Sequence, residues 1–265
     1  MKRLARLAAG GVVAAGSLLA TPVPAVRAQA PMQSAGWAMP GLSGSWAQLI
    51  VNTSLSDVPV IGRVRSETRT WLRLDIEQQG DSARVTSRVC RIEITGSRAV
   101  RTEIPRAFVA ALPVREHQLR IAASAGLPGL FGWEQTEVLG ARLRDPLRDP
   151  LPTRPDDQRV VDQDGDGHPG MTVKVRGMVD GDIYLVQRGW SALATRVVTD
   201  DEISGTVAWR TEQSILDATS RLLKGGPPTA PDPSPARNWF RSLRIDPGAG
   251  CDEIARLPVA WFSGD

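Results

Sequence analysis

Apolar side chains in the most regular parts of this chain recur every second residue, a period that dictates strands with one inward face rather than helices with an apolar stripe. Between Thr68 and Glu77, Thr70, Leu72, Leu74 and Ile76 alternate with Arg69, Arg73, Asp75 and Glu77. Gln79-Gly80-Asp81-Ser82 supplies a turn, and Ala83 to Ile94 runs back. The apolar phase there is odd through Val85 and Val89, then even through Cys90, Ile92 and Ile94, which predicts a bulge near Val89. Gly44 to Asn52 reads as an earlier strand. Thr172 to Arg176 and Asp182 to Arg188 flank Asp180-Gly181, where a tight hairpin turn is wanted. Leu193 to Val198, an alternating face from Ile203 to Trp209, and Asn238 to Ile245 complete the strand set. Short helices are expected at Pro105 to Leu112 and at Glu212 to Lys224, where Ile215, Leu216, Leu222 and Leu223 fall near one helical face. The expected class is mainly β: an antiparallel β-barrel or sandwich with one or two short helices and long Pro/Gly-rich loops.

The beginning of the 265-residue chain has a different character. Met1-Lys2-Arg3 is followed by an uncharged run from Leu7 to Ala20, and Val26 and Ala28 supply the small residues a signal peptidase accepts. Residues 1–28 are therefore expected to be a cleaved signal peptide, 29–41 an irregular arm, and 42–265 one β-rich domain. Within that domain, 126–158 reads as a surface excursion and 225–237 as a Pro-rich spacer. Export makes the mature protein secreted or periplasmic, with no membrane span once the signal is removed. Beyond the leader, 28 basic residues face 29 acidic ones. That balance disfavours a nucleic-acid partner, whose binding depends on neutralising several phosphates together. Cys90 and Cys251 are the only cysteines, and in an exported chain they are expected to pair. Such a bond ties an early strand to the C-terminal segment and argues for one closed unit.

Asp162-Gln163-Asp164-Gly165-Asp166-Gly167-His168-Pro169-Gly170 is the most specific motif in the chain. Carboxylates at its first, third and fifth positions can curl around one hard cation, with glycine at the sixth permitting the turn. The nine residues resemble the calcium loop of EF-hands and of dockerin or thrombospondin-type repeats. That resemblance implies Ca2+ held by Asp162, Asp164, Asp166 and the carbonyl of His168. Position twelve is Val173 rather than the bidentate glutamate, so further oxygens are sought from Asp156, Asp157, Asp180 or Asp182.

Eight tryptophans stand against four phenylalanines and one tyrosine. Trp46, Trp71, Trp190 and Trp209 lie on expected strands, where indole rings either fill a core or contact a ligand. Gly44-Ser45-Trp46 resembles the G-x-W that opens the first strand of lipocalins, which implies a barrel closed at its base by tryptophan. Ser124, Asp156 and His168 occur in hydrolase order, but the strand-turn-helix setting that a nucleophilic serine requires is missing. His117 beside Glu116 reads as a solvated polar pair. A non-catalytic binding protein for an apolar small molecule or a cell-envelope partner fits these features best. A calcium-supported extracellular hydrolase and a carbohydrate-binding module using surface tryptophan are the alternatives. The sequence carries no signal for oligomeric state.

Overall fold

Alternation on the scale of the whole chain produces a sheet that curls, because right-twisted strands with one apolar face wrap that face around a common interior. In the computed structural model, residues 38–58, 62–96, 100–124, 126–177, 179–225 and 229–263 are described; the expected signal peptide lies outside them. The strands are β1 (Gly44–Val58), β2 (Gly62–Gln79), β3 (Ser82–Thr95), β4 (Val100–Glu103), β5 (Arg115–Ser124), β6 (Leu127–Phe131), β7 (Glu134–Leu139), β8 (Met171–Gly177), β9 (Gly181–Val198), β10 (Glu202–Ala218), β11 (Thr229–Pro231) and β12 (Trp239–Arg244). Three short helices accompany them: α1 (Arg106–Ala111), α2 (Cys251–Ile254) and α3 (Val259–Ser263). All strand pairs are antiparallel, in the order β4-β8-β9-β10-β12-β1-β2-β3-β5-β6, with β7 added to β9 and β11 to β1.

This half-barrel nearly meets itself. The Leu130 N–H of β6 donates to Thr195 Oγ1 of β9 at 3.0 Å. Leu193 N–H, also on β9, donates to the carbonyl of Trp133 at 2.9 Å. The concave face is filled by Trp46 from β1, Leu72, Leu74 and Ile76 from β2, Val85 from β3, Leu119 and Ile121 from β5, and Phe240 from β12. Trp133 meets Phe240 edge-on with ring centroids 5.7 Å apart. Trp46 is wholly buried; its Nε1 donates to the Leu42 carbonyl, and the Arg244 guanidinium lies 4.5 Å from its ring centre. A buried indole whose N–H is satisfied and whose face carries a cation is an interior anchor.

The opposite, convex face is also apolar where β1, β2 and β12 run together. Ala47, Leu49, Val51 and Trp71 point outward there and are covered by Ile254 and Phe262 of the C-terminal helices. The Cys90–Cys251 disulfide joins β3 to α2 across 161 residues. Cys90 is the extra residue of a bulge, since Trp71 pairs with Arg91 and Leu72 with Val89. The phase change in the sequence is this bulge, and it is what turns the thiol outward toward α2.

Several expectations are corrected. Residues 126–158 are not one excursion: they begin with β6 and β7, whose Leu130 and Leu139 are buried. Glu212 to Lys224 is not a helix, because β10 continues to Ala218 and only Arg221–Leu223 form a 3-10 turn. A register shift between Ile215 and Asp217 leaves Leu216 as the extra residue of a bulge, which interrupts the two-residue alternation and lets Ile215 and Leu216 read as helical spacing. The Pro-rich spacer contains the three-residue strand β11, paired with Ser54, Leu55 and Ser56. His117 is buried rather than solvated, on the same face of β5 as Leu119 and Ile121, and burial followed by the Arg115 charge holds its imidazole below the ordinary histidine value.

Because the disulfide closes 161 residues, chain-entropy arithmetic sets its contribution at about 5 kcal/mol at most. Replacing both cysteines by serine is expected to lower the unfolding free energy measured in urea by about 3–5 kcal/mol. A loss below about 1 kcal/mol would show that the C-terminal helices are held by apolar packing alone.

Candidate functional site

Two places gather chemically active side chains: the aspartate loop before β8 and a groove on the convex side of β9, β10 and β12.

The loop is shaped by its own carboxylates. Asp162 accepts the N–H groups of Gly165 and Asp166 on Oδ1, at 2.8 and 3.2 Å, and of Gly167 on Oδ2 at 2.9 Å. Those bonds curl the chain back around Asp162, and Gly165, Gly167 and Gly170 supply the positive φ values the curl requires. Gly170 is the constrained one, since a side chain there would meet the carbonyl of Leu185. The Thr172 N–H donates to Asp164 Oδ2 at 3.0 Å, and the Thr172 hydroxyl donates to Asp166 Oδ2 at 2.5 Å, which docks the loop onto the start of β8. Gln163 points the other way, accepting the Gly140 N–H and donating to the Ala111 carbonyl at the end of α1.

Asp162, Asp164 and Asp166 each bring an oxygen within 4.8 Å of the others, a grouping able to hold a metal ion. Asp164 Oδ1 is buried and has no hydrogen-bond partner. Burial, then the charges of Asp166 and Asp162, push the Asp164 carboxyl above its ordinary value against the pull of the Thr172 N–H. Burial works on Asp166 too, but the Thr172 hydroxyl and the His168 N–H outweigh it and leave that carboxyl below the ordinary range. His168, expected in the metal set through its carbonyl, directs its ring onto Tyr184, with stacked centroids 4.2 Å apart and Nε2 3.3 Å from the phenolic oxygen. The four aspartates considered as extra ligands are engaged elsewhere: Asp156 with Arg154, Asp157 with Arg159, Asp182 with Lys174 and Arg176, and Asp180 with the Gly177 N–H. The Ser124–Asp156–His168 order therefore yields no triad, since Asp156 and His168 have other partners and Ser124 ends β5 opposite Leu127.

The groove has a volume of about 740 Å³ and lies beside the C-terminal cover. Its floor is the outward face of β10 and β12: Ser204, Thr206, Trp239 and Arg241. Pro235 and Ala236 form one wall, Phe262 and Ser263 at the end of α3 the other, and Arg196, Val197 and Glu202 complete the rim. Arg241 is held from two sides, donating to the Phe262 carbonyl at 3.1 Å and to Glu202 Oε2 at 2.8 Å. Its Nε is buried and unpartnered. Burial raises the Glu202 carboxyl, but bonds from Arg241 and Ser204 outweigh this and leave it below the ordinary value of 4.5.

Of the tryptophans considered as ligand contacts, Trp46 and Trp71 are 0% and 1% exposed and offer no surface. Trp71 lies beneath Arg91 and donates to the Leu257 carbonyl. Trp190 and Trp209 are half-buried; Arg210 stands 5.8 Å over the first, and the second donates to Asn238 Oδ1 at 2.8 Å. Trp239, placed on a strand by its sequence and given no role, is the tryptophan that lines the groove. Outward strand positions read as solvated in a sequence, and only the course of residues 235–263 in space turns them into a site.

No family model matches the chain, no curated protein matches it, and no solved structure matches it.

Two outcomes follow from these geometries. Asp164→Asn keeps an acceptor for the Thr172 N–H while removing a charge that burial and its neighbours oppose. In chelator it should melt within about 1 °C of the wild type or slightly above, whereas with a millimolar divalent cation only the wild type should gain, by about 3–5 °C. Equal shifts in the two proteins would dismiss the loop as a cation site. For Glu202, a lowered native value means that its stabilisation is full at neutral pH and is lost as pH falls from 4.5 through the native value. Glu202→Gln should therefore lower the melting temperature at neutral pH and flatten the acid limb below pH 4.5, so that the two profiles converge in acid.

Proposed function

We propose that this chain is an exported, non-catalytic binding protein that takes an amphiphilic small molecule in the groove floored by β10 and β12. The observation that carries the reading is the division of the sheet into two faces with different fates. The concave face is packed with Trp46, Trp133, Phe240 and aliphatic side chains, while the convex face keeps an open cleft of about 740 Å³. That volume falls within the range of small-molecule sites, and a few polar groups set among apolar walls are what such sites use to fix a ligand. The lining is preorganised, because Arg241 is anchored at both terminal nitrogens and the floor is regular sheet.

Export is supported by the leader pattern of residues 1–28 and by a disulfide suited to an oxidising compartment. Among the described residues no helix is long and apolar enough to cross a membrane. For the aspartate loop, calcium is the proposed ion. The donors are hard oxygens, and the buried Asp164 Oδ1 lacks any partner within the protein. A bound cation would supply charge neutralisation to Asp162, Asp164 and Asp166. Those residues would then hold the loop against β8 and, through Gln163, against α1. Its role is structural, and affinity in the sub-millimolar to millimolar range is expected where the bidentate glutamate is replaced by Val173.

Titration with decyl-chain amphiphiles tests the binding reading through tryptophan fluorescence. A saturable change is expected, and Trp239→Phe should remove most of its amplitude while Trp190→Phe preserves it. A signal carried by Trp190 or Trp209, or no signal with any amphiphile, would overturn the assignment of the groove.

A further inference from the structure

We propose that one end of the curled sheet, apart from the convex groove, is a second binding site and takes a neutral polyhydroxylated ligand, a sugar of one or two rings. The apolar filling of the concave face stops part-way along the strands. One inward step beyond Leu72, Trp133, Leu193 and Val207 stand Thr70, Gln135, Ser191 and Trp209. Arg115 and Glu137 share that inward phase, with Leu119 and Trp133 respectively, and their ion pair links β5 to β7. The six residues form a ring. Gln135 pairs with Ser191 and Ser191 with Trp209 across β7, β9 and β10. The Trp209 indole N–H donates to Asn238, which also accepts the Thr53 N–H of β1, and Thr70 of β2 lies opposite Ile50 of β1.

Inward side chains at this level meet water only if the sheet's interior is open there. The Arg115 and Glu137 side chains keep 31% and 23% of their surface exposed, and the other four residues are half-buried. Thr211, the next inward position on β10, is exposed. On the far side Ile92 and Leu139 pack with Phe108 of α1 and Met171 of β8, so the end is roofed there and open over β10. Thr70, Gln135 and Ser191 make no side-chain hydrogen bond among the described residues, and none of their polar atoms is buried without a partner, so solvent reaches them. Arg115 and Glu137 neutralise each other, and neither an anion nor a cation meets an uncompensated charge. Sugar hydroxyls both donate and accept, which suits one amide beside two hydroxyls. The C–H face of a sugar ring suits the negative face of the Trp209 indole. An interior walled by about eight strands has room for one small ligand.

Isothermal titration of the folded wild-type protein with glucose, galactose, N-acetylglucosamine, maltose and lactose tests this. Saturable binding of at least one of them is expected, with a Kd below about 10 mM. The uronic-acid and amino-sugar counterparts of glucose and galactose should bind at least fivefold more weakly than the neutral sugars. Gln135→Ala and Ser191→Ala should each weaken the sugar about threefold to tenfold at an unchanged melting temperature. Trp209→Phe should remove the fluorescence change caused by the sugar, whereas Trp239→Phe, in the groove, should leave sugar binding as in the wild type. No binding by any of the sugars, or wild-type affinity in both alanine variants, would overturn the site. Equal binding of the charged counterparts would overturn the neutral class. Loss of sugar binding in Trp239→Phe alone would move the ligand to the groove and refute a second site.

Discussion

A strand buried on both sides governs this molecule. β1 sends Trp46 and Gln48 into the concave interior and Ala47, Leu49 and Val51 to the convex side, and all five are essentially excluded from water. An antiparallel strand with one solvated face would carry polar residues at those odd positions. Here they are apolar, so a cover is obligatory, and the segment after β12 provides it through Ile254 and Phe262. Arg244 spans the two arrangements. It caps the Trp46 ring and donates to the carbonyls of Gly41, Ser43 and Asp200, tying the entry of β1 to the β9–β10 turn. The disulfide then pins the cover at the place where a bulge has turned Cys90 outward.

The groove is a product of the same arrangement. The C-terminal segment crosses β12, where Phe262 and Ser263 of α3 form one side of the groove. The turn at Pro235–Arg237 rises on the other side, held by Asn238, whose side chain donates to the carbonyls of Asp232 and Ser234 and accepts from Thr53 N–H. Between these two walls the sheet is left bare, with polar groups at the spacing that alternate strand residues impose. A site built on sheet rather than on loop tips needs little rearrangement to receive a ligand. The aspartate loop stands apart from it and braces the β7–β8–α1 region through Thr172 and Gln163.

Much of the fold could be read from alternation alone. The β2–β3 hairpin and the bulge beside Val89 are local matters of phase and turn chemistry, and the structure has both, whereas Gly181, expected in a tight turn with Asp180, already pairs with Val175 as the first residue of β9. β6 was hidden because Pro128 and Gly129 read as loop; proline is tolerated there because β6 is the last strand on the sheet path. Ile215 and Leu216 imitated a helix because the bulge at Leu216 breaks the strand's two-residue alternation. The aspartate cluster was legible because its members lie within five residues of one another. The groove was not, since Arg196, Trp239, Arg241 and Phe262 are scattered over 67 positions and brought together only by the path of the chain.

The order in which these parts are synthesised has its own consequence. Every described strand precedes the residues that shield Leu49, Val51 and Trp71, so during synthesis a greasy strip emerges well before its cap. For that interval the nascent polypeptide is a natural client for holdase chaperones and a hazard for self-association. Closure of the Cys90–Cys251 bond is thus a late maturation event that pins the cap in place, and a delay in it prolongs the hazard.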